Sequence, residues 1–312
     1  MTFWPADDHM LIMNLNSAMG SKHGRCVSLT DDDLSRLRDA GAQTIVQYGV
    51  WRELATHGWG YLDTLVAQAQ NHGMRSMIFS YYGAPDNLPK EWYCWRPDQT
   101  VAIHPPAMLY TLSLWNMEAQ AALIGHLGEI VNRYPRDTTS VVFVGFSCGE
   151  LVLPGQCFYE PAAIKAHAEE VGGKLDLTRP ETIAWVHRAV VDYYTTINAA
   201  LLPQHNQTWN ALHPKMPLFS RTGSSGLCVQ EDILAAEYER WPDADRYLLQ
   251  YTYWPHINGG YKALIDGWRE KYKLQLIVEA GYCSGLSRTA PMAIAAGMRG
   301  QIVGPKHPEA FA

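Results

Sequence analysis

Thr44-Ile-Val-Gln-Tyr48, then Leu62, Leu65, Val66 and Ala69, then Gly73 and Arg75-Ser-Met-Ile-Phe-Ser80: within residues 44–80 a short β-rich run, an amphipathic stripe and a second β-rich run follow one another. Apolar positions three and four apart mark a helix, and short continuous apolar runs mark strands covered on both faces. The same alternation continues in both directions. Strands are expected at Leu11–Asn16, Thr44–Tyr48, Arg75–Ser80, Ser140–Phe146, Pro217–Ser220, Tyr247–Tyr251, Leu274–Glu279 and Gln301–Gly304. Thr30-Asp-Asp-Asp33 opens a helix with acids at the positive end of its dipole, and Gly41 closes it. Leu123, Ile124, Leu127, Ile130 and Val131 form another stripe, stopped by Pro135. Ile183, Val186, Val190 and Ile197 form a fourth, and Leu264, Ile265 and Trp268 a later one.

Eight β-runs alternating with helices call for a parallel sheet, and eight strands close a (β/α)8 TIM barrel of about 250 residues. The expected fold class is therefore α/β, with residues 1–312 as a single barrel domain. The extra length falls in two connections, Tyr81–Trp115 after the third strand and Leu151–Pro180 after the fourth. Little chain follows Gly304, so the eighth helix is expected to be short or missing, and the groove it leaves is expected to be covered by self-association into a homo-oligomer. The rival is a doubly wound open sheet, but no Gly-rich phosphate turn follows the first strand.

Composition narrows the function classes. The chain has 312 residues, 47% hydrophobic and 18% charged, with a net charge of -6. That apolar content argues against disorder, and the thinly spread Lys and Arg give no basic stripe for nucleic acid. No apolar run approaches the roughly 18–20 residues of a membrane helix. Met1 to Asn14 lacks the basic start of a signal peptide. Six scattered cysteines without a CxxC pair suit reduced thiols and a cytoplasmic location. Trp 11 and Tyr 17 against Phe 7 is a bias toward aromatics with a polar handle, which suits clefts that are half wet and half apolar.

The chemistry concentrates at strand ends. The fourth run reads Ser140-Val-Val-Phe-Val-Gly-Phe-Ser-Cys-Gly-Glu150, and the seventh reads Leu274-Gln-Leu-Ile-Val-Glu279. Strands four and seven stand three apart in an eight-membered ring, so two carboxylates can face one cleft. Glycosidic cleavage needs such a pair: one gives a proton to the leaving oxygen, and the other supports the oxocarbenium-like centre as nucleophile or as base for water. The plain alternative for either Glu is a cap or a solvated ion pair. Separations of about 5–5.5 Å mean retention and about 6.5–9.5 Å inversion.

Here a resemblance enters. Leu37-Arg-Asp-Ala-Gly41, Thr44–Glu53, Gly60-Tyr61 and His72-Gly73-Met74 resemble the early units of clan-A barrel glycoside hydrolases, the β-galactosidases of families 35 and 42, and of the family-14 β-amylases. Gly145-Phe-Ser-Cys-Gly-Glu150-Leu-Val-Leu-Pro154 is similar to the β-amylase pattern G-x-x-x-G-E-L-x-x-P around the general acid. The resemblance implies Glu150 as acid and Glu279 as its partner, with motifs covering about a fifth of the chain. The galactosidase-like plan implies retention, the G-E-L-x-x-P motif inversion, and the whole-barrel plan weighs more. Two departures stand out: Gly149 where such galactosidases place Asn, and Gln47-Tyr48-Gly49 where β-amylases carry Asp.

Candidate substrate-binding residues surround the pair: Asn16, Trp51, Glu53, Tyr81, Tyr82, Asp86, Arg221, Tyr251, Trp254 and Tyr282, with Asn14, Trp92 and Trp95 as further possibilities. Aromatics would stack on sugar rings and the polar groups would hold hydroxyls; loop packing is the alternative for each. Arg221 would pair with Glu279 and keep it ionised. The twelve His form no HxH or HExxH, so no metal and no other cofactor is expected. Cys148 and Cys283 read as small packed residues. Beside the hydrolase stand two rival readings, a carbohydrate-binding barrel that has lost its chemistry and a metal-dependent barrel hydrolase.

Overall fold

Thr44–Tyr48 and Leu274–Glu279 are strands to the residue. The computed structural model describes residues 10–14, 30–39, 42–48, 51–81, 84–104, 109–144, 157–205, 207–212, 227–250, 261–279 and 300–303. Its strands are β1 (Met10–Asn14), β2 (Thr44–Tyr48), β3 (Arg75–Tyr81), β4 (Ile103–His104), β5 (Leu109–Tyr110), β6 (Thr139–Val144), β7 (Gln207–Leu212), β8 (Asp245–Gln250), β9 (Leu274–Glu279) and β10 (Gly300–Val303). Its α-helices are α1 (Asp31–Asp39), α2 (Trp51–His57), α3 (Gly60–Asn71), α4 (Met117–Arg133), α5 (Pro161–Glu170), α6 (Pro180–His205), α7 (Leu227–Arg240) and α8 (Tyr261–Tyr272). The chain is α/β. Among the described residues no helix is long and apolar enough to cross a membrane.

Eight strands form one parallel sheet in the order β6-β3-β2-β1-β10-β9-β8-β7. The two strands at the ends of this ladder, β6 and β7, also touch. Most expected strands lie within two residues of the observed ones. The fifth does not: its place in the sheet is taken by Gln207-Thr-Trp-Asn-Ala-Leu212, whereas Pro217–Ser220 lies outside the described residues. Residues 304–312, where the eighth helix was in question, also lie outside them.

Local chemistry explains the helix ends. Asn116 caps α4 by accepting from the Ala119 N–H at 2.9 Å. Gly73, at φ +72°, ends α3 in a conformation that a side chain would strain, and the Met74 N–H turns back to the Ala69 carbonyl. Pro161 and Pro180 open α5 and α6, where the missing N–H leaves no bond unmade. In α3, Leu62, Val66 and Ala69 are buried at helical spacing; each full Leu or Val burial stabilises by roughly 1.5–3 kcal/mol.

The sheet is covered on both faces, and the strand register assigns them. Leu248, Leu274 and Leu276 pack with Leu234 of α7 and with Ile265, Trp268 and Tyr272 of α8. Alternation turns Tyr247 and Ile277 the other way. These two belong to a separate apolar cluster that also holds Val46, Met77, Phe79 and Val142. The registers put all six on one face: Ile277 stands opposite Gly300, Gly300 opposite Met10, Ile12 opposite Thr44, Val46 opposite Met77, and Phe79 opposite Val142. From β9 to β6 along the ladder is five steps, about 24 Å in a flat sheet. The same cluster also takes in Leu62 of α3, Leu123 and Ile130 of α4, Ile197 of α6, and Ile78 and Val141 of the opposite sheet face.

Candidate active site

Parallel strands end together, so the carboxyl ends of the eight strands share one edge. Glu279 is the last residue of β9 and stands opposite Ile302 of β10. Strand β6 ends at Val144, six residues before Glu150, and leads off the same edge. Tyr81 is the last residue of β3. Asn16, Tyr82, Glu150, Arg221, Tyr251, Trp254 and Tyr282 lie outside the described residues, as do Cys148 and Cys283.

Trp51, Glu53 and Asp86 have described surroundings. Trp51 starts α2 and stacks on His126 of α4, with ring centroids 5.4 Å apart and planes within 12°. Trp59 lies tilted against the same imidazole at 6.3 Å, with the Arg133 guanidinium over its indole. Arg133 in turn makes a two-pronged bond to Asp63, which also accepts from Tyr134 and is held below the usual carboxylate range by Arg133. Trp51 is therefore engaged in tying α2 to the helix layer. Glu53, on the same short helix, is 3.1 Å from Arg52 and 3.5 Å from His57. Asp86 is exposed at the start of the β3–α4 connection. The structure brings Trp51 and Glu53 onto one helix; Asp86 belongs to the next strand's connection.

The two long connections, expected to be loops, carry their own framework. After β3, the β4–β5 pair and isolated bridges Ala84–Tyr110, Tyr93–Leu112 and Trp95–Val101 build a small β platform. The Tyr93 hydroxyl donates to the Pro85 carbonyl and accepts from the Leu88 N–H. Trp92 packs against the main cluster. Trp95 donates its indole N–H to the Lys90 carbonyl, and the Lys90 ammonium lies 4.6 Å from its ring centroid. After β6, α5 and Trp185 of α6 form the second half. Trp185 stacks on Trp115 at 4.3 Å, Phe158 meets Trp115 edge-on at 5.3 Å, and His167 meets Trp185 edge-on at 5.2 Å.

Between the halves sits Glu160, fully buried. Its carboxylate accepts from the Ser113 hydroxyl at 2.6 Å and from the Trp95 N–H at 3.1 Å. Burial pushes its pKa up to about 7, against the downward pull of those bonds. Ionising it in place costs on the order of 3 kcal/mol. Nothing in the local sequence marks this residue. A carboxylate directly before a helix-opening proline looks like an ordinary helix-start acid, and its burial depends on a segment some fifty residues earlier. Among the described residues no cluster of His, Cys, Asp and Glu is arranged to hold a metal ion.

No family model matches the chain, and no curated protein does. Among solved structures it is similar to the mannotriose complex of a β-mannanase of Thermomonospora fusca, at 11% identity over 95% of this chain and 77% of that one, TM-score 0.49. It is similar to the apo 3-keto-D-glucoside 4-epimerase YcjR of E. coli, at 8% identity over 95% and 91%, TM-score 0.49. It is also similar to an endocellulase of Pyrococcus horikoshii bound to cellotetraose, at 12% identity over 97% and 86%, TM-score 0.46.

Proposed function

We propose that the chain is a glycoside hydrolase whose sheet closes as a (β/α)8 barrel over residues 1–312, with Glu150 as general acid and Glu279 as nucleophile. The observation that carries the reading is the strand order. Strand β9 ends on Glu279 at the same edge from which β6 leads to Glu150. Along the ladder the two strands are five steps apart; across the β6–β7 contact they are three. Closure thus decides whether one saccharide can reach both carboxyl groups, and the contact between β6 and β7 supports closure.

Glu150 protonates the glycosidic oxygen as the bond to the anomeric carbon breaks; Glu279 attacks that carbon, and water later releases the sugar with Glu150 as base. The substrate is a small glycoside or oligosaccharide, and the plan is β-galactosidase-like. Incubation with a panel of nitrophenyl glycosides tests it: at least one is hydrolysed, and the first product seen by proton NMR keeps the anomeric configuration of the substrate. Glycan binding without hydrolysis of any panel member would replace the enzyme by a carbohydrate-binding barrel.

A further inference from the structure

The connections that leave β3 and β6 meet over one carboxylate. From the first, Ser113 and the Trp95 N–H donate to the two oxygens of Glu160. From the second, the Tyr159 N–H donates to the Trp95 carbonyl at 3.0 Å, so the strips pair on both sides of that residue. The stacked Trp115, Trp185 and Phe158 belong to the same two connections and α6. No cation among the described residues pairs with the carboxylate. The titratable groups facing it are the thiols of Cys94 from the first connection and Cys157 from the second. Both are held protonated, by burial first and by Glu160 second. On α5, His167 is engaged with Thr182; on α6, Tyr193 is pushed up by burial and then by Cys94.

We propose that Glu160 is a proton-operated latch between the two long connections: protonated, it keeps them docked, and ionised, it favours their separation. When the strips part, the carboxyl group returns to water and titrates in the ordinary range. Docking raises its proton affinity, so protons favour docking by the same amount. The contribution is complete below about pH 4.5 and is lost as pH rises through about 7. Across pH 5 to 8 the docking equilibrium weakens by about 10²-fold. The latch does not depend on what reaction the strand edge supports.

Hydrogen exchange of the full chain, read as protection factors that correct for intrinsic rates, tests it. Segments 92–102, 109–116 and 157–163 are expected to lose about 10²-fold protection between pH 5 and 8, while α8 keeps its own. In Glu160→Gln, which cannot ionise, the three segments keep the same protection at both pH values. Ser113→Ala removes a bond that favours the ionised form, so its fall is centred at higher pH; this variant carries the test if Glu160→Gln does not fold. A fall shared evenly by α8, a fall that persists in Glu160→Gln, or an unmoved midpoint in Ser113→Ala would overturn the latch.

Discussion

Glu150→Gln is expected to lower turnover of a hydrolysed alkyl glycoside by about 10²–10⁴-fold with the fold intact, because Gln fills the same space and has no proton to give the leaving oxygen. The loss should shrink for nitrophenyl glycosides, whose leaving group departs without help. Glu279→Gln removes the nucleophile, so its loss should be at least as large and independent of the leaving group. That contrast separates the two roles. A fall in stability alone would depress both substrates equally, and melting curves of the variants check for it. Unchanged turnover in either variant would remove that residue from the mechanism.

Trp185→Ala is expected to carry the largest stability cost of a single truncation in the described residues. Trp185 is 1% exposed, stacks on Trp115, meets His167 edge-on and donates its indole N–H to Glu170 at 3.1 Å. Emptying so large a site in a close-packed core costs about 3–5 kcal/mol, and the lost ring contact adds to it. For a chain of this size that lowers Tm by roughly 5–10 °C. Trp185→Phe keeps the stacking, loses the N–H bond and should cost less than half as much. Urea unfolding of the three proteins measures the difference; a cost below about 1 kcal/mol for the Ala variant would mean that the site collapses or is not packed as described.

The elements legible in the sequence were those whose burial is local. Thr44–Tyr48 and Leu274–Glu279 are apolar runs covered on both faces, and they were read to the residue. Strand β7 escaped because Gln207, Thr208 and Asn210 interrupt any apolar run, although Thr208 is fully buried; the strand has one ladder neighbour, β8. Nearby Pro217-Leu-Phe-Ser220 has the more strand-like pattern. Helix α7 carries no clean apolar stripe, because its buried face mixes Ile233 and Leu234 with Glu237, which is bonded to Asn198 of α6. Trp51, a cleft candidate by its place after a strand, is half-buried and stacks one face on His126 of α4, a contact its local sequence does not announce. Glu160 had no local signal, since Trp95 and Ser113 reach it from the other connection. Short buried strands leave a local apolar signal; contacts between distant connections do not.

The separation between the carboxyl oxygens of Glu150 and Glu279, measured in a crystal of the protein with a saccharide bound, bears most directly on the whole account. Retaining cleavage predicts about 5–5.5 Å, with the sugar's anomeric carbon between them. A separation beyond about 10 Å, or either side chain outside the cleft, would contradict it.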